Sequence, residues 1–169
     1  FDVYSPEIGM NLPFNLEAEQ SVLGAILVDS SCIAEVMDEL RAENFYRPEN
    51  AQIYEIMLRL VTTAQPIDYV TVLEAACAEN VFPSDADAKV YLAQLVQIVP
   101  STANVGAYAQ IVREKSNVRS LMLAANEIIT DSRDAGSDAQ TLMDSAEQKI
   151  YDIRRGRDGS KLVRIDSIL

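Results

Sequence analysis

The chain has 169 residues, of which 49% are hydrophobic and 24% charged; its formal net charge is −12 and it contains no histidine. This is enough apolar material for one domain with a real core, and it excludes intrinsic disorder as the default. Without histidine, Ser-His, Cys-His and histidine-metal arrangements are excluded. No apolar run reaches the roughly 18 residues of a membrane span, so no membrane association is expected.

The opening stretch, FDVYSPEIGMN, has neither a basic nor an apolar signal-peptide region. It reads as a flexible N-terminal arm over 1–12, in which Met10 is either an internal residue or a start site. Pro13 and Asn15 then set up a strong helix over Leu16–Val28: proline restricts the backbone and asparagine is a good N-cap. Glu17 and Glu19 fall in the first turn, where the helix dipole favours negative charge, and read as a solvated polar face. Val22, Leu23, Ile26 and Leu27 form the apolar face. Gly24, costing roughly 1 kcal/mol inside a helix, points to a close approach by a neighbour.

Further helices are predicted over Ile33–Leu40, Glu49–Thr63, Tyr69–Asn80, Ala86–Ile98, Asn104–Asp131 and Asp138–Arg155. Ser30-Ser31, Pro66, Pro83-Ser84 and Pro100-Ser101 separate them. Asp68 and Ser84 are credible N-caps, and Ser137 with Gln140 has capping-box spacing. Asp38 and Glu39 are placed on a polar face. No segment shows the period-two alternation of a strand. The predicted fold is all-α: a compact multi-helix globular head over 13–102, followed by a long helical hairpin over 103–155. Residues 156–169 read as a linker, Gly156-Arg157-Asp158-Gly159-Ser160-Lys161, and the start of a linker helix whose apolar residues are Ile165, Ile168 and Leu169.

The hairpin carries the candidate interaction residues. On its first arm Ile111, Val118, Met122, Ala125 and Ile129 approximate a heptad seam, interrupted by Lys115 and widened by Leu121 and Ile128. On the second arm Leu142, Ala146, Ile150 and Ile153 continue it, with Met143 beside them. The apolar arc of the first arm is wider than one helix covers, so a second copy of the hairpin is expected to bury the remainder as a homodimer. The alternative is a hairpin folded back on its own head.

Cys32 and Cys77 read as buried small hydrophobes, and their isolation argues against a disulfide or metal site and for a reducing, cytoplasmic compartment. Residues 1–100 hold 16 acids against 4 bases, whereas 101–169 hold 10 of each. An acidic head repels phosphate backbones, so DNA binding is expected to be weak or absent. Arg154, Arg155, Arg157, Lys161 and Arg164 form the one basic cluster, read as favourable placement at a helix C-terminus followed by a soluble linker, the alternative being a contact to an acidic neighbour or to DNA. Gly159-Ser160-Lys161 lacks the spacing of a phosphate-binding loop.

Several segments, in order, resemble one family. Leu12–Val28, LPFNLEAEQSVLGAILV, is similar to the opening of the N-terminal domain of the DnaB-family replicative DNA helicases. Asn44-Phe45-Tyr46-Arg47-Pro48 with Ile53-Tyr54, Pro66–Val72 (PIDYVTV), Tyr91–Leu95 (YLAQL), Ala103-Asn104-Val105 and Tyr108–Lys115 with Arg119 resemble its later segments. Together these cover about Leu12 to Arg155. Two features depart from the family pattern: Asp87-Ala88-Lys89-Val90 replaces its Gly-Gly pair, and no histidine lies near Asn50.

The resemblance implies the collar domain of a ring-forming hexamer that unwinds DNA with ATP. It implies a homo-oligomer built from hairpin dimers, with the primase C-terminal domain and a helicase loader as partners. The chain itself would be non-catalytic and carry no cofactor or metal; ATP and magnesium would belong to a motor domain beyond Leu169, of which this chain would be the N-terminal fragment. Primase and loader contact residues are not identified. The alternatives are a stand-alone helical protein-protein adaptor without a motor and a helix-turn-helix DNA binder; the acidic head disfavours the latter.

Overall fold

Helix α1 (Leu16–Val28) begins where Asn15, in extended conformation, turns its side-chain oxygen onto the Ala18 N–H at 2.9 Å. The computed structural model describes the backbone of residues 4–5, 10–98, 101–134 and 136–168, with side chains over 11–98, 101–134 and 136–156. Six more helices follow among them: α2 (Cys32–Glu39), α3 (Pro48–Thr62), α4 (Tyr69–Ala78), α5 (Asp85–Ile98), α6 (Val105–Ser132) and α7 (Ala139–Ile168). Short 3-10 turns occupy Ala42–Asn44 and Thr102–Asn104. The expected all-α architecture is present; the one addition is a two-residue antiparallel ladder, β1 (Tyr4–Ser5) with β2 (Met10–Asn11), inside the segment read as a flexible arm.

The chain divides into two compact units, 14–114 and a second made of 1–13 with 115–169. The first is the head. Its core joins Val22, Leu23 and Ile26 of α1, Val36 of α2, Ile53, Tyr54 and Met57 of α3, Val72 of α4 and Leu92 and Leu95 of α5. Gly24 is buried on α1, whose most extensive helix packing is with α5. Val105, Ala109 and Val112 of α6 belong to this core as well. The head therefore reaches Glu114, whereas the breaker at Pro100-Ser101 suggested an end at 102. A helix carries no sequence mark where its apolar face changes neighbours.

The helix ends follow local chemistry. Asp68 caps α4, accepting from Thr71 N at 2.9 Å while Thr71 Oγ1 accepts from the Asp68 N–H. Ser84 accepts from the Asp87 N–H at the start of α5. After α3 and α4, Ala64 and Asn80 take left-handed φ values of 55° and 53°. The Gln65 and Val81 N–H groups then close back on Leu60 O and Ala76 O. This is the usual helix stop, for which asparagine is suited and alanine is not.

Glu19 departs from the reading as a solvated residue. Glu17 is exposed, but Glu19 is only 1% exposed. Its carboxylate accepts the Tyr46 N–H at 2.8 Å, the Arg47 N–H at 3.3 Å and Asn50 Nδ2 at 2.9 Å. Tyr46 and Arg47 lead into α3, so the carboxylate from α1 satisfies two part-buried backbone donors just before that helix and ties its first turn through Asn50. Asn50 Oδ1 in turn accepts the Tyr91 hydroxyl from α5. The Arg47 guanidinium lies 4.7 Å over the Tyr91 ring and pairs with Glu49 at 3.2 Å. Asp38 and Glu39, also assigned to a polar face, are half-buried, and Glu39 pairs with Arg113 at 3.3 Å.

In the second unit, α7 starts one residue later than the capping-box spacing suggested. Asp138, not Ser137, accepts the Thr141 N–H at 2.8 Å, and those bonds hold its carboxyl below the usual carboxylate range. Gln140 bonds Asp144 instead. A carboxylate at the N-cap gains from the helix dipole, which a serine hydroxyl does not. Helix α7 runs on through Gly156–Lys161, where composition suggested a flexible turn. Glycine weakens a helix by about 1 kcal/mol without blocking it, and no proline intervenes.

Two stability changes follow. Glu19→Ala strands three donors in the head core and is expected to lower unfolding free energy by at least about 3 kcal/mol in urea denaturation, while Glu17→Ala changes it by less than about 0.5 kcal/mol. Ala64→Gly, relieving a left-handed alanine, is expected to raise stability by up to about 1 kcal/mol in the same assay.

Candidate self-association face

The described residues of the hairpin unit bury few apolar side chains. Among its described residues only Ala124 is a fully buried hydrophobic side chain, at 7% exposure. Lys149 links the arms: it bonds Ser145 Oγ at 3.0 Å within α7 and reaches Asp131 at 3.5 Å and Glu127 at 3.8 Å on α6. Arg119 is also buried, donating to the Pro13 carbonyl at 2.9 Å. Glu127 and Asp131 thus mark a side of α6 turned toward α7.

The seam residues lie on another side. Val118, Leu121, Ala125 and Ile129 recur at three- and four-residue steps along α6 and are all exposed, Ile129 by 49%. On α7, Met143 and Ile150 are seven residues apart and exposed by 54% and 41%. Met122, Leu142 and Ala146 are half-buried. Ile111 is exposed but belongs to the head unit. Leu123 and Tyr151, not singled out from the sequence, are exposed as well. Their apolar character was visible, but nothing in the spacing separated them from covered positions.

Other chemistry is sparse. Among the described residues no group of His, Cys, Asp or Glu is arranged to hold a metal ion, and no helix is long and apolar enough to cross a membrane. Cys32 is buried and Cys77 half-buried. Burial pushes both thiols up, helped by Asp29 and Glu35 around Cys32 and by a hydrogen bond with Asp85 at Cys77, so both are poor nucleophiles. A head concavity of about 380 Å³ is lined by Glu35, Asp38 and Glu39 of α2 and by Asn104, Gly106, Ala107 and Gln110. Glu35 Oε1 lies over Gly106, where a Cβ would displace the end of that flexible side chain. Of the basic cluster, Arg154 and Arg155 are exposed. Arg157, Lys161 and Arg164, and the apolar Ile165, Ile168 and Leu169, lie outside the described side chains.

The family profile described as the DnaB-like helicase N terminal domain matches residues 11–114. The chain belongs to that family. It is 35% identical over 158 residues to the replicative DNA helicase DnaB of Geobacillus stearothermophilus, covering 93% of this chain and 34% of the relative. It is 34% identical over 167 residues to the DnaB of Mycobacterium leprae, covering 98% of this chain and 28% of the relative. The chain thus spans about a third of the length of these curated relatives. Its fold is similar to the crystal structure of the N-terminal domain of DnaB helicase from Mycobacterium tuberculosis. The TM-score is 0.75 at 35% identity, covering 84% of this chain and 99% of that one. The DnaB-like profile ends at Glu114, where the head unit also ends.

The exposure pattern separates two kinds of hairpin position. In dilute solution Val118→Ser is expected to leave helicity by far-UV circular dichroism unchanged. Ala124→Asp, which puts a charge at a buried position, is expected to lower it.

Proposed function

We propose that this chain is the N-terminal collar domain of a bacterial replicative DNA helicase of the DnaB type, and that it assembles the ring through its hairpin. The observation that carries this is the exposed apolar stripe Val118, Leu121, Ala125 and Ile129, with Met143 and Ile150, on a domain of this family. A second copy is the fitting occupant. The i, i+7 recurrence suits a helical partner. Residues 101–169 are charge-neutral while 1–100 carry a difference of −12, so two copies repel at their heads and not along their hairpins.

In this reading hairpin dimers build a hexamer. The parent protein unwinds DNA in the cytoplasm with ATP and magnesium held by a motor domain. The collar contributes position and not chemistry. It recruits the primase C-terminal domain, and a helicase loader, to the fork, where tethering raises the primase's effective concentration at the emerging strand. The acidic head leaves little affinity for DNA in this domain alone.

Light scattering during size exclusion tests both roles. The wild-type chain is expected to run as a dimer or larger at low micromolar concentration and to gain mass with the cognate primase C-terminal domain. Ile129→Asp is expected to run as a monomer, because the interface would bury an unpaired charge. An unchanged mass for that variant would remove the seam assignment.

A further inference from the structure

Resting on the self-association proposed above, we infer that the second arm of the hairpin, α7, gains its order from association with a second copy, and that Lys149 holds the arm in register beforehand. The argument starts from the contrast between the two units. In the head, each helix contributes fully buried apolar side chains to one core. In the hairpin, Ala124 is the only described hydrophobic residue buried to that degree, and none on α7 is. Leu142, Ala146 and Ile153 are half-buried, and Met143, Ile150 and Tyr151 are exposed.

An isolated helix draws most of its stability from tertiary burial of its apolar face, and among the described side chains of α7, over 139–156, none is fully buried. What α7 has is a polar clamp. Lys149 is 24% exposed and meets Ser145, Asp131 and Glu127 at 3.0, 3.5 and 3.8 Å. Such a contact sets geometry but supplies modest free energy, because partly solvated ion pairs are screened. Covering Met143 and Ile150 with a partner hairpin supplies the missing burial. Association and the order of α7 are therefore coupled.

Hydrogen exchange across a concentration series, with mass followed by light scattering on the same samples, tests this. Amides of 139–153 are expected to gain about tenfold or more in protection as the chain passes from monomer to dimer. Amides of α1, α3 and α5 should not change. Lys149→Met is expected to speed α7 exchange in the monomer several-fold and to leave the head unchanged, and 0.5 M salt should act the same way on the wild type. If the chain associates but α7 is already as protected in the monomer as in the dimer, the coupling is overturned and the self-association reading stands. If no association occurs at any concentration, both fall, and light scattering alone separates the two cases.

Discussion

The carboxylate of Glu19 is the contact on which the head depends. It leaves α1 and ends among the donors at the start of α3, the Tyr46 and Arg47 N–H groups, and the Asn50 carboxamide. The N-terminus of α3 has Pro48 in its first turn and no side-chain cap of its own. Part-buried backbone N–H groups left without an acceptor, such as those of Tyr46 and Arg47 leading into α3, would be costly. The acid from α1 removes that cost and fixes how the two helices meet. Asn50 extends the same chain of bonds to Tyr91 on α5, the helix with which α1 packs most extensively. The apolar core supplies most of the driving force; the polar chain selects one arrangement of α1, α3 and α5 over others with similar burial.

The two units solve different problems. The head is a closed core in which apolar residues from six helices are withdrawn from water, and where Tyr54 finds the Leu40 carbonyl for its hydroxyl at 2.9 Å. The hairpin spends its apolar residues on an outward face and relies on Lys149 and on local helix caps. Exposed apolar residues are common singly on any surface. A stripe of them at regular helical steps, on a unit whose described residues bury almost no apolar side chain, is what the proposed pairing rests on. The uneven charge fits that proposed pairing, since the acidic part would repel its copy and the neutral part would not.

Sequence periodicity and breakers by themselves determined the helices. Leu16–Val28 was legible to the residue, because Asn15 and the residues after Val28 punctuate it locally. The other helices were located with ends displaced by one or two residues, apart from α7, where the apolar pattern stopped at Arg155 and the backbone did not. The family, too, was legible, carried by short segments in order. Three things were decided only by the tertiary structure. Glu17 and Glu19 are the same residue type two positions apart, and only the arrival of the α3 N-terminus beside one of them makes it a buried acceptor. Helix α6 keeps one pattern throughout, yet its first turns enter the head core and its later turns do not. The stripe on α6 was visible as periodicity, but which members face α7 and which face solvent depends on where α7 lies. In each case local pattern reflects the chain's own geometry, whereas burial is a property of what packs against it, and that is settled only when distant segments meet.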